Sequence, residues 1–584
     1  MKKTLYSMLA LAAGATVFTA CEDKLDIEQK GVTDIANFYK TDADAEAALA
    51  AAYADFATNV PGRGAGFIYT PYKFMLNNGG DDMFAAGSNF GDNDFSAAIN
   101  EYRLDSGLGI VNEFYSGLFQ SVYTCNLVID NFKNGTSAVQ KRCVAEARVL
   151  RAYDYLLLTM LWGTPPFVDH LLAADALPTN SDLDPENPKS HEELLQWVAD
   201  ECNEAANDMD ERKSTADKDG AVKATKGFAW AVAGKALLFK GDAAGAKTAL
   251  KKVVDSGKYA LVPGDRYWEN FHIAGDCNEE KVFETNLEFN SGIGAWGGIN
   301  QRSTWMEANI WNWRSDHFVA GASPQQNYTG GCDGWGGLGV PQWFGDEFFA
   351  NDGHSYRFDV TLKHIDDAVY NMEYSAVEGL TLEQKKTSTA IGIIDPEQGL
   401  YGESCWLPFK QMIHNTDVNL SYGNNVRLNN NLVMRYAEVL FLYAEACLNS
   451  GDNGAAKDAV NAIRTRAGLS ELANVDMNVL KKEKSYELWL EGCRWIDLVR
   501  WGDTDRVKKA GNDVPKLFDK VHRGPAKSGE KVSWENDRFY TVSTHEAQDA
   551  GYKTGYQDGK NNLYPFPMTV IEKNPNIRQN PGWE

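Results

Sequence analysis

The sequence predicts a mainly α-helical fold in which paired helices form a scaffold around a long, loop-rich insertion. Apolar residues recur at three- and four-residue steps over much of both halves of the chain, as in helices with one buried face. A helix–turn–helix pattern occurs twice, once in each half. Between these regions the sequence is rich in Gly, Asn and Trp and follows no regular period, which is typical of loops.

The chain begins with a segment that predicts export. Residues 1–3 (MKK) are basic, an apolar run follows, and residues 18–21 read FTAC. This is the pattern of a secretory signal peptide, and the run is shorter than the roughly 20 residues that span a bilayer. The ending resembles a lipobox with Phe18 and Thr19 in place of the usual residues. We interpret 1–20 as a lipoprotein signal peptide and Cys21 as a lipidated N-terminus; an ordinary cleaved signal is the alternative.

Composition narrows the function classes. The chain has 584 residues, of which 43% are hydrophobic and 24% are charged, as in ordinary globular proteins. Its net charge of −24 argues against nucleic-acid binding, which needs a basic surface. Neutral ligands therefore fit this chain better than heavily anionic ones.

The cysteine spacing indicates buried side chains more than metal binding. No CxxC spacing occurs, which argues against a zinc ribbon. A disulfide between Cys277 and Cys332 is open, because spacing alone cannot decide it. The cysteines within helical patterns are expected to be small buried side chains; these are Cys125, Cys143, Cys202, Cys447 and Cys493.

Helical scaffold is expected mainly at 35–58, 110–262 and 432–510. In the first helix Thr41 can act as N-cap, with Asp44 reaching back to it. Segments 60–107 and 270–430 are irregular, and long loops in a compact protein are usually functional.

The repeat lies in the second and third helical regions. ALLFKGD at 236–242 matches ACLNSGD at 446–452, and in both copies Ala follows at the same later positions. Each copy predicts a helix, a Gly-Asp turn and a second helix, with small residues where the two helices cross. Tetratricopeptide-type hairpins are built in this way.

Five motifs occur along the chain: EARVLRAYDY with WGTPP (146–155, 162–166), RYAEVLFLYAEA (435–446), NAIRTRAG (461–468), EL with EGCRWIDLVRWG (487–502), and PFP with NP and QNPG (565–582). In sequence and in order they resemble the motifs of the SusD/RagB family of outer-membrane nutrient-binding lipoproteins. The departure is Lys484, where the family usually has Arg.

The resemblance implies one SusD/RagB-like domain over 21–584, a SusD-like fold with tetratricopeptide-like helix pairs. It also implies a cell-surface lipoprotein, anchored in the outer membrane by its lipid, that captures glycan and passes it to a SusC-like TonB-dependent transporter. Charged residues in the motifs are expected to tie helices together; these are Arg148, Arg151, Glu445, Arg464, Glu491 and Arg500.

Candidate ligand residues are aromatic and amide or acidic side chains in the irregular segments. Flat aromatic rings can stack on sugar faces, and Asp and Asn hydrogen-bond to hydroxyls. Packing of the loop region or contact with the transporter is the alternative for the tryptophans, and helix capping is the alternative for the aspartates. Trp343 resembles core. The candidates are Trp296, Trp305, Trp311, Trp313, Trp335, Asn78, Asp81 and Asp82.

The sequence gives weaker support to other functions. Adjacent acidic pairs arise by chance among 81 acidic residues, and neither HExxH nor GxSxG occurs, so we expect no catalysis. A secreted glycoside hydrolase is the enzyme alternative, and peptide uptake is the alternative within the family. No cofactor or metal is expected; calcium is an option for the oxygen-rich loops, although Asp217-Lys-Asp219-Gly220 is only a fragment of a calcium loop.

Overall fold

The computed structural model describes most of the chain from Phe38 to Glu584. Within those residues, no helix combines the length and the apolar character needed to cross a membrane. The described ranges are 38–61, 70–88, 92–286, 310–313, 334–364, 399–417, 429–509, 513–519, 540–546 and 555–584.

The fold is mainly helical, as the sequence predicts. Helices of 6 to 11 residues also occur inside the segments expected to be irregular, because tertiary packing can stabilise a helix that its own sequence does not favour. The helices are α1 Asp42–Asn59, α2 Pro71–Asn77, α3 Asp94–Asn100, α4 Gly109–Phe132, α5 Ala138–Trp162, α6 His191–Ala205, α7 Lys218–Ala221, α8 Lys226–Lys240, α9 Ala243–Asp255, α10 Gln342–Asp352, α11 Tyr356–Thr361, α12 Tyr436–Asn449, α13 Asn453–Arg466, α14 Met477–Glu487, α15 Arg494–Trp501 and α16 Met568–Lys573.

Short antiparallel strands join parts of the chain that are distant in sequence. β1 pairs with β3, β2 with β7, β4 with β6, and β8 lies between β5 and β9. The strands are β1 Phe84–Ala85, β2 Lys281–Thr285, β3 Leu338–Gly339, β4 Leu362–His364, β5 Leu400–Tyr401, β6 Trp406–Pro408, β7 Asn431–Arg435, β8 Asp513–Asp519 and β9 Tyr540–Glu546.

The centre of the core is α5. From Val149 to Trp162 every residue of this helix is buried, including the polar Arg151 and Asp154, so the helix is surrounded by other elements on all sides. It packs against α1, α4, α6 and α8. The C-terminal segment closes over its end, since the Trp162 indole donates to the carbonyl of Pro565 at 2.9 Å and the Asn580 amide donates to the carbonyl of Trp162.

Both copies of the repeat fold as predicted. Gly241 and Gly451 end their first helices with φ of +92° and +82°, a region in which a side chain is strained. The following residues, Asp242 and Asp452, cap α9 and α13. The two hairpins pack on one another through α9 and α12, and Lys247 bonds to Asp452 across that contact at 2.7 Å.

Caps and buried cysteines also agree with the sequence. Thr41 and Asp44 form the reciprocal capping box at the start of α1. The five cysteines expected in the interior are all buried. Cys277 is a free thiol and burial raises its pKa to about 12, while Cys332 lies outside the described residues.

Charged motif residues tie the scaffold together, as expected. Arg148 and Arg151 of α5 both bond to Glu201 of α6. Arg500 of α15 bonds to Glu445 of α12 at 2.6 Å.

A larger buried ion network joins the C-terminal helices to the irregular segment. Arg435 bonds to Glu280, Glu487 and Glu491. Lys410, from the irregular segment, donates to Glu491 at 2.6 Å. Because each buried charge has opposite charges beside it, the network can exist without water. It fixes the position of the irregular segment on the scaffold.

Candidate ligand-binding face

The structure brings the two irregular segments together at one place. β1, from the early loop, pairs with β3, from the middle segment, with Phe84 opposite Gly339. Ala86 then donates to the carbonyl of Gly337 at 3.0 Å, and Gly87 forms a bridge with Tyr401. We call this junction, comprising 77–88, 310–313, 334–343 and 400–408, the loop junction.

Two hydrogen bonds join chain positions at or next to the loop junction. Gly334 donates to the carbonyl of Trp313 at 2.9 Å, so residues 313 and 334 lie side by side. Ser88 donates to the Asp92 carboxylate at 2.8 Å, so residues 88 and 92 are also close together.

The predicted polar residues of the early loop lie inside the junction. Asn78 is 1% exposed, and its amide donates to the hydroxyl of Ser96. Asp81 accepts two hydrogen bonds from the Arg494 guanidinium, at 2.6 and 2.9 Å, so its carboxylate is committed to that partner. Asp81 and Asp82 lead into β1, and the alternative that they cap a following helix is wrong.

Asp82 is an unusual carboxyl group. It is 3% exposed, and its Oδ2 has no hydrogen-bond partner among the described residues. Burial raises the pKa of Asp82 to about 7, against the opposing effect of Arg494 and with a further rise from Asp81. The backbone carbonyl of Asp82 accepts from the Trp489 indole at 2.9 Å, which anchors the loop to the helical body.

A second buried acid lies nearby. Glu403 is 5% exposed, its Oε2 has no partner among the described residues, and burial raises its pKa well above the usual range. It lines a cavity of about 10 Å³ together with Trp313 and Tyr401. That volume admits at most one water molecule.

Two of the predicted tryptophans are packed in the structure. Trp311 is 2% exposed, with its ring 5.9 Å from that of Phe74 and the Lys73 ammonium 5.4 Å from its centre. Trp313 is equally buried, and its indole donates to the carbonyl of Pro408 at 2.7 Å. Packing is thus their observed role, and a ligand role for them stays a prediction.

The partly exposed aromatic residues of the junction are Trp335 and Trp343. Trp335 packs on the edge of the core and is half-buried. Trp343, expected to be core, is also only half-buried, and the Arg506 guanidinium lies 3.7 Å from its ring centre. Arg506 pairs in turn with Glu347 at 3.3 Å.

Other predicted residues lie outside the described ranges: Trp296, Trp305 and Cys21. Sequence reasoning missed Arg494, Arg506 and Glu403. Arg494 belongs to a recognised motif, so its charge was visible, but its pairing with Asp81 connects residues at opposite ends of the chain. No sequence period brings such residues together.

Comparison with known proteins shows which family and which relatives this chain is similar to. The family model described as the SusD family matches residues 307–583. A SusD-like protein from Bacteroides ovatus is 23% identical over 527 residues, covering 85% of this chain and 82% of the relative. The starch-binding protein SusD from Bacteroides thetaiotaomicron is 25% identical over 498 residues, covering 80% of this chain and 78% of the relative.

The family-model match and the SusD-like relatives together support assignment to the SusD/RagB family. Among solved structures, a laminarin binding SusD-like protein superposes with a TM-score of 0.68 at 20% identity. That superposition covers 93% of this chain and all of the other. At this identity the likeness establishes a shared SusD-like fold.

Proposed function

We propose that this SusD-family protein captures oligosaccharide or polysaccharide at the cell surface and delivers it to a SusC-like TonB-dependent transporter without catalysis. The relatives support the ligand class, since one is named for starch and another for laminarin, which are both neutral glucans. The net charge of −24 also favours a neutral polymer over an anionic one.

The loop junction is the observation on which this proposal rests. It joins the two aromatic- and amide-rich segments that the sequence singles out. The hydrogen bond from the Trp489 indole to the Asp82 carbonyl attaches it to the helical body. Sugars need flat rings for their apolar faces and fixed polar groups for their hydroxyls. We place glycan contacts on the outer side of this junction, with Trp335 the described member of the predicted set that is exposed enough to stack.

Anchoring and delivery are the remaining parts of the proposal. The signal-like start supports a lipid on Cys21, which would tether the protein to the outer membrane without a spanning helix. Capture followed by transfer needs no cofactor, because stacking and hydrogen bonding supply the affinity. A transporter partner fits a protein that is tethered at the cell surface and binds nutrient there.

Binding to defined polymers tests the ligand class. The chain without residues 1–21 would be titrated by calorimetry with starch, laminarin, a uronic-acid polysaccharide and a mixed peptide pool. Reducing-end release would be followed in the same samples. Trp335→Ala and Trp305→Ala would be compared with Trp230→Ala, which alters a half-buried tryptophan on the scaffold helix α8.

Binding to a neutral glucan, weakened in at least one of the two loop variants and unchanged in Trp230→Ala, with no new reducing ends, supports the proposal. Selective binding of peptides overturns the glycan assignment. Release of new reducing ends overturns the assignment as non-catalytic. Purification of the lipidated chain from outer membranes without a transporter in near-equal amount would refute the proposed partner.

A further inference from the structure

A cluster of metal-ligating side chains lies beside the loop junction, where Ile413 donates to the Asn312 amide oxygen at 2.8 Å. His272 follows the 3₁₀ segment Gly264–Phe271, while His414 and Asp417 lie on the stretch after β6. One ligand atom from each of the three lies within 4.8 Å of the others. His272 and Asp417 are 3% and 1% exposed, and His414 is half-buried.

The two imidazole rings are stacked on one another. Their centroids are 4.0 Å apart and their planes differ by 27°. The Nε2 atom of His414 is buried and has no hydrogen-bond partner among the described residues. A buried imidazole nitrogen without a partner costs free energy, so such an atom needs an explanation. A bound cation would supply the missing partner.

Asp417 holds the cluster in place through both carboxylate oxygens. Oδ1 accepts from the backbone amide of Ile273 at 3.0 Å. Oδ2 faces Nδ1 of His272 at 2.6 Å and accepts from the backbone amide of His414 at 3.0 Å. The carboxylate thus orients one imidazole directly and fixes the backbone that carries the other.

We propose that His272, His414 and Asp417 form a binding site for one divalent transition-metal ion of the Zn²⁺ class. Two imidazole nitrogens and one carboxylate oxygen form a donor set that suits zinc and its neighbours better than calcium, which prefers oxygen alone. Ligand atoms around tetrahedral zinc lie roughly 3.3 Å apart. The side chains therefore close inward on the ion by about 1 Å, and a water molecule completes the shell from the exposed side of His414.

The site has a structural consequence that goes beyond the proposed function. The ion links residues 270–275 to residues 409–417, two stretches of the irregular segment 270–430, which the sequence assigns to ligand binding. Lys410, on the second stretch, already ties it to Glu491 in the buried ion network. A metal bond adds a second tie at the other end of the stretch, so metal binding should raise thermal stability. The sequence did not suggest this site, because the two histidines are far apart along the chain.

Metal binding can be measured without any glycan or transporter. The chain without residues 1–21 would be stripped with chelator and titrated with ZnCl₂ by calorimetry, and CoCl₂ would report coordination geometry by its visible spectrum. We expect one Zn²⁺ per chain, a tetrahedral cobalt spectrum and a higher Tm with zinc. His414→Ala, at a half-buried position that should tolerate it, is expected to weaken binding about tenfold or more and to abolish the Tm increase.

His354→Ala is the matched control. His354 also pairs with an aspartate, Asp359, at 2.9 Å, but its side chain is 63% exposed. Zinc binding that is lost in His414→Ala and kept in His354→Ala supports the site. No zinc uptake by the parent chain, or equal weakening in both variants, overturns it and leaves the cluster as a His–Asp contact that joins two loops. His272→Gln provides a second test if His414→Ala fails to fold.

Discussion

Replacing Asp82 by Asn should remove a pH-dependent loss of folding stability that arises at the loop junction. Burial raises the pKa of this carboxyl group to about 7 from an ordinary 3.8, so the folded chain keeps a proton that the unfolded chain has already lost. Between those values the folded state binds more protons, and the free energy of unfolding therefore falls as pH rises. The parent chain should lose this contribution progressively from about pH 4 to pH 7.

The magnitude follows from the pKa difference. Each pKa unit corresponds to about 1.4 kcal/mol, so the two units between pH 5 and pH 7 amount to about 3 kcal/mol. For a chain of 584 residues, with an unfolding entropy of about 2.1 cal/mol/K per residue, this corresponds to about 2 °C in Tm. Other buried acids such as Glu403 are present in both proteins, so their contributions cancel in the comparison.

Scanning calorimetry of the parent chain and Asp82→Asn at pH 5 and pH 8 measures this effect. The Tm of the variant minus that of the parent should rise by about 2 °C from the lower to the higher pH. The absolute difference at either pH is not the test, because the Asn amide adds its own buried donors. Asp208→Asn is the control, since this exposed carboxylate is solvated in both states. A difference between variant and parent that is the same at both pH values would refute the reasoning.

Three further predictions concern the scaffold. Glu487→Gln should lower the free energy of unfolding by about 3–5 kcal/mol in chemical denaturation, because Arg435 and Arg466 lose a buried counter-charge; a loss below about 1 kcal/mol would contradict this. Burial raises the pKa of Glu487, but these arginines lower it by more, to about 2. The Glu487 carboxylate therefore stays ionised in acid. Gly451→Ala should cost about 1–2 kcal/mol through backbone strain alone, since its φ is +82° and nothing lies within 4 Å of the new methyl group; an unchanged denaturation midpoint would exclude strain. Asp242→Ala should cost about 1 kcal/mol by removing the cap of α9, and Asp242→Asn should restore most of it, which a purely electrostatic role would not allow.

Much of the helical body could be predicted because its determinants are local. The Gly-Asp turns, the capping box at Thr41 and the apolar periodicity each act within a few residues, and the structure places helices where they indicate. The charges on motif helices could also be assigned to scaffold, since long charged side chains on amphipathic helices usually meet neighbouring helices.

The loop segments could not be predicted to the same depth. Their strands are as short as two residues, too short to show a period, and their pairing depends on contacts between distant positions. Trp311 and Trp313 resembled exposed binding residues because few aliphatic residues surround them in sequence. Their burial comes from Phe74 and Pro408, which only folding brings near.

The resemblance to the SusD/RagB family, the helix pairs, the repeat and the two irregular segments could all be read from residue patterns. This was possible because motifs, caps and periods are properties of neighbouring residues. The pairing of Asp81 with Arg494, the burial of Asp82 and the stacking of His272 on His414 became visible only in the folded chain. Each of these depends on the burial of side chains against partners far along the chain, and burial is a property of the whole fold.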